Sequence, residues 1–275
     1  MPERSVLPLR RSRLVVRDGV ALLSHQHPSS RNALGVALRR DYRDMLDWLD
    51  GRRDIAALVL TGSGGSFCSG ADLKATEDSS TDDSRRPAPM DVRALVLDIH
   101  EWFGRLRDLE MPVIAAVEGP AAGAGFSLAL AADFVFASPR ATFCMSFGKI
   151  GLIPDLAALY QLPRIVGLST TKELVMTARS MSAEEAKQLG IVHAIHDADD
   201  LVEAACRFAE RFREASRDAT GIAKRLLNRS FETSYREFAE LEAEGQADAA
   251  ATAYFAEAIA AFVTGRPRRF DWDRM

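Results

Sequence analysis

Cysteine is scarce: three in 275 residues, Cys68, Cys144 and Cys206, an odd number without CxxC spacing. That gives no basis for a disulfide framework, and free thiols in a reducing compartment are the simplest reading. Cys68 lies near a glycine-rich turn, but a nucleophilic thiol needs a base close by, and a small buried cysteine is the ordinary reading. No apolar run is long enough to cross a bilayer. The longest, Met111 to Ser138, is broken by Glu118, Pro120 and several glycines. There is no basic block either, and 35 Lys and Arg stand against 39 Asp and Glu. Nucleic acid is therefore not an expected partner, while a polyanionic small ligand, which needs only a few placed cations and backbone N–H groups, stays open. The N-terminal "MPERSVLPLRRSRL" lacks the apolar centre of a secretory signal, and Pro2, Glu3 and Pro8 interrupt any amphipathic presequence helix. A cytoplasmic protein with no membrane partner is expected. His25 and His27 flank Gln26 without a third ligand-like neighbour, so no metal site is expected.

What is present suits one large domain or a domain with a small appendage: 47% hydrophobic and 27% charged residues. "RLVVRDGVALLSHQ" predicts two strands around the turn Asp18-Gly19. "NALGVALRRDYRDMLDWLDG" has apolar residues at helical spacing, with Gly51 placed to end the helix. Ile55 to Gly65 predicts a buried strand and its exit loop. The acidic stretch from Ala75 to Met90 reads as a mobile loop. A helix over 91–110, a second buried strand in "MPVIAAVEG", a helix opening at "AGFSLALAAD" and two strands around Pro139 follow. Beyond Ala157 the chain is almost all helical, with a Ser182–Glu185 capping box and a Gly190 stop. The alternation predicts an α/β core with a helical C-terminal part.

Two segments share one design: "VLTGSGGSFCSGADL" and "IAAVEGPAAGAGFSL". Each is a buried strand, then small residues, then a helix start whose first N–H groups lack partners. Two such turns facing each other would hold one oxygen between two N–H donors, an oxyanion hole suited to a carbonyl that becomes an enolate. The alternative is a pair of tightly packed βα turns. Neither segment fits a P-loop or a dinucleotide fingerprint.

These strings, Ser66–Lys74 and Val113–Ser138, resemble the two signature segments of the crotonase superfamily, the enoyl-CoA hydratase/isomerase family. So do "RNAL" at Arg31, "GLIPD" at Gly151, "LPRIVG" at Leu162, "SAEEAKQLGIVHAI" at Ser182 and "AFVTGRPRRF" at Ala261. The resemblance implies an α/β fold, a crotonase-like spiral of ββα units over 1–200, with a helical C-terminal region over 201–275 that drives trimerisation, often as a dimer of trimers. It implies an acyl-CoA substrate and no cofactor beyond the coenzyme A of that substrate. By matching position, the N–H groups of Ala71 and Ala124 form the oxyanion hole. Asp72, Leu73 and Lys74 run beside the CoA, Gly125, Ser127 and Phe147 contact the substrate, and Arg31 stands near the CoA phosphates, unless it is a solvated surface charge.

The sequence departs from the hydratases at both of their catalytic glutamates. The matching residues are Ser127 and Phe147, neither able to do carboxylate acid/base work. Asp155, after "GLIP", is the carboxylate that remains. In this family that position often carries a catalytic acid in branches doing other chemistry, and the pattern is similar to the epoxyphenylacetyl-CoA isomerase branch. The competing role for Asp155 is a helix N-cap. Many relatives carry Gly-Gly just after this position; here Ala157 and Ala158 follow. Ser127 reads either as a group that orients substrate or water, or as a small packed residue. Lys149 reads as a surface lysine or a contact to CoA or a neighbouring subunit, His100, His193 and His196 as scattered surface or strand-end residues, and Asp133 as a structural capping carboxylate. An enoyl-CoA isomerase with Asp155 as acid/base is expected. Hydration by another route and a non-catalytic acyl-CoA binder are the alternatives.

Overall fold

The hairpin at Asp18-Gly19 forms as expected. Strands β1 (Ser12–Arg17) and β2 (Val20–His25) pair antiparallel with Ser12 opposite His25. Asp18 and Gly19 both take left-handed φ, 46° and 76°, the turn geometry that matches strand twist. Helix α1 (Val36–Leu49) turns its apolar residues inward and stops before Gly51, at φ 67°. The computed structural model describes residues 5–72 and 89–274. The expected acidic loop and the CoA-contact residues Leu73 and Lys74 thus lie outside the described residues, save Pro89 and Met90.

Strand β3 (Ala57–Gly62), helix α2 (Pro89–Arg107), strand β4 (Val113–Val117), strand β5 (Pro120–Ala122), helix α3 (Ala124–Leu130) and strands β6 (Phe134–Ala137) and β7 (Thr142–Cys144) follow. Then come helix α4 (Ala158–Thr177), strand β8 (Ser180–Ser182), helix α5 (Ala183–Gln188), strand β9 (Ala194–Ile195) and helices α6 (Leu201–Glu210), α7 (Arg217–Arg229), α8 (Tyr235–Ala250) and α9 (Ala253–Val263). The main sheet has the order β1-β2-β3-β4-β6-β9, parallel from β2 onward. A smaller sheet, β5-β7-β8, was not expected; its strands are three residues each, too short to show a periodicity.

The central strands are continuously apolar because both faces are covered. Leu58, Leu60, Val113, Ala115 and Val117 point to the side of α1 and α2, among Leu38, Tyr42, Trp102 and Phe103. Their alternates Ala57, Val59, Ile114 and Ala116 pack on Leu201, Ala204, Ala205 and Ala209 of α6. Helix α6, within the C-terminal region expected over 201–275, therefore covers one face of the sheet.

Helix α7 is fixed by a buried charge. Nζ of Lys224 donates to Oδ2 of Asp133 at 2.6 Å and to the Met111 carbonyl at 3.1 Å, and the same Oδ2 accepts from the Val113 amide at 2.7 Å. Asp133 is structural, as expected, but it ties the start of β4 to α7 instead of capping a helix. At α5, Ser182 Oγ accepts from the Glu185 amide at 3.1 Å, whereas the Glu185 carboxylate pairs with Arg179; only half of the expected capping box forms.

Candidate active site

The two glycine turns lie side by side. The Cys68 amide donates to the Pro120 carbonyl at 3.1 Å and the Ala122 amide to the Cys68 carbonyl at 3.0 Å, an isolated parallel bridge between the segments. Glycine is what permits this approach. A β-carbon on Gly125 would lie 2.0 Å from the Cys68 carbonyl oxygen. One on Gly70 would lie 2.7 Å from the Ala122 carbonyl oxygen and 3.5 Å from the Ala124 nitrogen. Gly70 takes φ 97°, and Gly123, the cap of α3, takes φ 52°. The Ala71 and Ala124 amides, one residue past these glycines, have no acceptor among the described residues. These are the two amides for which the resemblance implies an oxyanion hole.

The first turn is held by two residues to which the sequence assigned no such role, Asn32 and His25. Asn32, buried at φ 56°, accepts from the His27 amide through Oδ1 and donates through Nδ2 to the carbonyls of Ser63 and Ser66. His25, fully buried, contacts the Phe67 carbonyl through Nδ1 at 3.0 Å and the Tyr42 hydroxyl through Nε2 at 2.8 Å. A carbonyl only accepts, so Nδ1 carries the proton and Nε2 accepts from Tyr42. Burial pushes this histidine down to about 4, so it stays neutral. The Arg31 carbonyl accepts from the Ser69 amide, which leaves its exposed side chain at the edge of the same turn. A β-carbon on Gly35, which caps α1, would lie 3.2 Å from Oδ2 of Asp72, so Asp72 sits against the N-terminus of α1.

At the second turn, Phe147 is buried and its ring edge lies 3.7 Å from where a Gly123 β-carbon would be. Ser127 is also buried, and its hydroxyl donates to the Gly123 carbonyl at 3.3 Å, within its own helix. At this turn the two residues thus present a hydrocarbon ring and a hydroxyl whose proton is already committed.

Asp155 is not a helix cap. Its side chain accepts nothing from the helix start; α4 begins at Ala158, and its cap is Ala157. Leu156 and Ala157 both take left-handed φ, 47° and 54°. For residues with a β-carbon this costs about 1–2 kcal/mol each. Ala157, the first of the two alanines that follow Leu156, thus fills a left-handed position with strain. Burial of Leu156, which joins the main core, offsets this with about 1.5–3 kcal/mol.

Oδ1 of Asp155 is buried without a hydrogen-bond partner among the described residues. Burial pushes the carboxyl up to about 6, opposed by its own backbone amide and by the charge of Arg39. Arg39 was missed in the sequence because nothing local marks it. It lies one helical turn beyond Gly35 and one before Arg43, so this face of α1 runs from Asp72 to the Arg43–Asp98 ion pair at 2.6 Å. Burial lowers the affinity of Arg39 for its own proton, and Asp98 and Asp155 work against that.

The sequence profile described as Enoyl-CoA hydratase/isomerase matches residues 16–273. The chain is 31% identical over 259 residues to a 1,2-epoxyphenylacetyl-CoA isomerase of Escherichia coli K12, covering 93% of this chain and 96% of that protein. It is 33% identical over 258 residues to a probable enoyl-CoA hydratase of Mycobacterium bovis, covering 94% and 96%. Among solved structures, an enoyl-CoA hydratase/isomerase from Cupriavidus metallidurans CH34 superposes with a TM-score of 0.89 at 37% identity, covering 96% and 97%. With the paired glycine turns in place, the chain belongs to the enoyl-CoA hydratase/isomerase family of the crotonase superfamily.

Proposed function

We propose that the protein is an acyl-CoA isomerase. The thioester carbonyl accepts from the Ala71 and Ala124 amides, and Asp155 moves a proton between carbons of the acyl chain. The observation that carries this reading is the Asp155 carboxyl, partly buried, with an unpartnered oxygen and held near 6. A carboxyl poised there takes a proton from carbon as its anion and returns it as the acid within one turnover, and proton transfer of this kind contributes roughly 10²–10⁴-fold. The oxyanion donors stabilise the enolate between the two steps. Arg31 and Asp72 lie along the first turn, where they flank the CoA moiety; Gly125 keeps the second turn close to the first, and Ser127 and Phe147 shape the pocket beside it.

Incubation with a panel of enoyl-CoA esters, followed by mass spectrometry and chromatography, separates the readings. An isomerase gives a new species of unchanged mass, a hydratase adds one water, and an acyl-CoA binder returns its ligand intact; either of the last two outcomes overturns the proposal. Run across pH, kcat/KM is expected to rise through a single limb near 6, because the anion of Asp155 must accept the first proton. Arg39→Met removes the cation that favours that anion, so the limb moves to higher pH; a limb that stays put excludes this role for Arg39.

Assembly into trimers, or pairs of trimers, belongs to the same reading. Phe255, Ile259, Phe262 and Val263 leave apolar surface exposed on α9, as an assembly face requires. Light scattering is expected to give three or six chain masses, and a monomer at micromolar concentration overturns it.

A further inference from the structure

Cys144 ends β7, and the 3₁₀ turn Ser146–Ile150 brings Lys149 back over it. Nζ of Lys149 lies 3.5 Å from Sγ of Cys144, and the thiol donates to the Ala178 carbonyl at 3.1 Å. The cysteine is buried and the lysine is exposed. Cys68 is the contrast within the same chain. It is buried beneath the first glycine turn, burial pushes its thiol up to about 11, and it stays protonated and inert. Peroxide converts a cysteine thiol to a sulfenic acid. Once oxidised, the sulfur carries its oxygen within bonding reach of an amine nitrogen.

We propose that Cys144 and Lys149 form a reversible redox pair, in which hydrogen peroxide joins Sγ to Nζ through one oxygen atom. The first peroxide transfers an oxygen to the thiol. Its O–O bond breaks, an S–O bond forms, and one water leaves a sulfenic acid on Cys144. The second peroxide accepts two electrons as the N–O bond forms; one proton from nitrogen and the sulfenic proton leave with its oxygens as two further waters. One thiol, one amine and two peroxides thus give one S–O–N bridge and three waters. Two equivalents of a dithiol reverse the change and release the thiol, the amine and one water. The bridge closes a ring around the turn that carries Phe147, whose ring edge packs at Gly123. It therefore stiffens the side of the site nearest the Ala124 amide, and its chemistry does not depend on the reaction assigned to Asp155.

The test uses the full native chain, treated with millimolar hydrogen peroxide, quenched, and analysed by intact and peptide mass spectrometry. The expected product gains one oxygen and loses two hydrogens, about 14 Da, where a sulfenic acid alone gains about 16 Da. Trypsin no longer cleaves after Lys149 in that product, and dithiothreitol restores the starting mass and the cleavage. Lys149→Arg keeps the surface charge and the fold but cannot make the bridge, so the 14 Da product is expected to vanish from it, as from Cys144→Ser. The proposal is overturned if Cys144 in the parent protein takes up whole oxygens while cleavage after Lys149 continues. It is equally overturned if Cys144 is unchanged by peroxide, or if Lys149→Arg gives the same product as the parent.

Discussion

Asp155→Asn is expected to remove turnover and, above pH 6, to make the protein more stable. In the proposed reaction Asp155 carries the proton; a loss on the order of 10³-fold or more in kcat is expected from the proton-transfer step. The gain in stability has the same origin as the reactivity. The Asp155 carboxyl rises from 3.8 to about 6 on folding because burial disfavours its anion. Folding therefore favours the protonated form, and the native state is penalised progressively as pH climbs from about 4 through 6 and fully above it. A shift of this size is worth about 3 kcal/mol. Asparagine carries no charge at any of these pH values but leaves its own amide short of partners, which costs about 1 kcal/mol in return. A net stabilisation on the order of 1–2 kcal/mol is expected at pH 8 and none at pH 4, read from urea midpoints of parent and variant. Full activity in Asp155→Asn would remove Asp155 from the reaction. A stability difference that is the same at pH 4 and pH 8 would show that its carboxyl is not held in the neutral range.

Gly125→Ala is expected to damage both stability and turnover, although it adds only one methyl group to a helix. That carbon would be 2.0 Å from the Cys68 carbonyl oxygen, 2.7 Å from its carbon and 2.9 Å from the Cys68 β-carbon. The obstacle is mainly backbone, which cannot rotate away, so the two glycine turns must separate. Overpacking of this kind costs about 1–3 kcal/mol or more. Separating the turns also moves the Ala71 amide relative to Ala124, and loss of one oxyanion donor costs roughly 10²–10³-fold in kcat. Gly104→Ala is the matched control. Gly104 lies in α2 with nothing within 4 Å of an added β-carbon, so the same chemical change should be neutral or stabilising by up to about 1 kcal/mol. Equal kinetics in parent and Gly125→Ala would mean that the close approach of the two turns does not serve the reaction.

Features governed by neighbours in sequence were legible without coordinates. Asp18-Gly19 specifies its turn through the left-handed φ that both residues accept. The helices α1 and α2 follow from apolar spacing, and the buried strands β3 and β4 from continuous apolar runs. Ser182 caps α5 as expected, because a cap needs only an amide three residues on. The other half of that capping box failed because Arg179 offers Glu185 a charged partner, which outweighs a backbone amide. The N-cap role weighed for Asp155 failed for a comparable reason: drawing Leu156 into the core turns the chain left-handed and shifts the cap to Ala157.

By itself, the sequence determined the family, the order of the main elements and the two turns that present Ala71 and Ala124. Those depend on residue type and short spacing, which a linear chain displays. Only the tertiary structure decided that Gly70 and Gly125 are spaces for another segment's backbone, that Arg39 on α1 answers Asp155 before α4, and that Lys149 returns to Cys144. It also decided how readily Asp155 holds a proton. That property depends on how much water the fold removes and which distant charge it leaves in reach, and neither is a function of neighbouring residues in the chain.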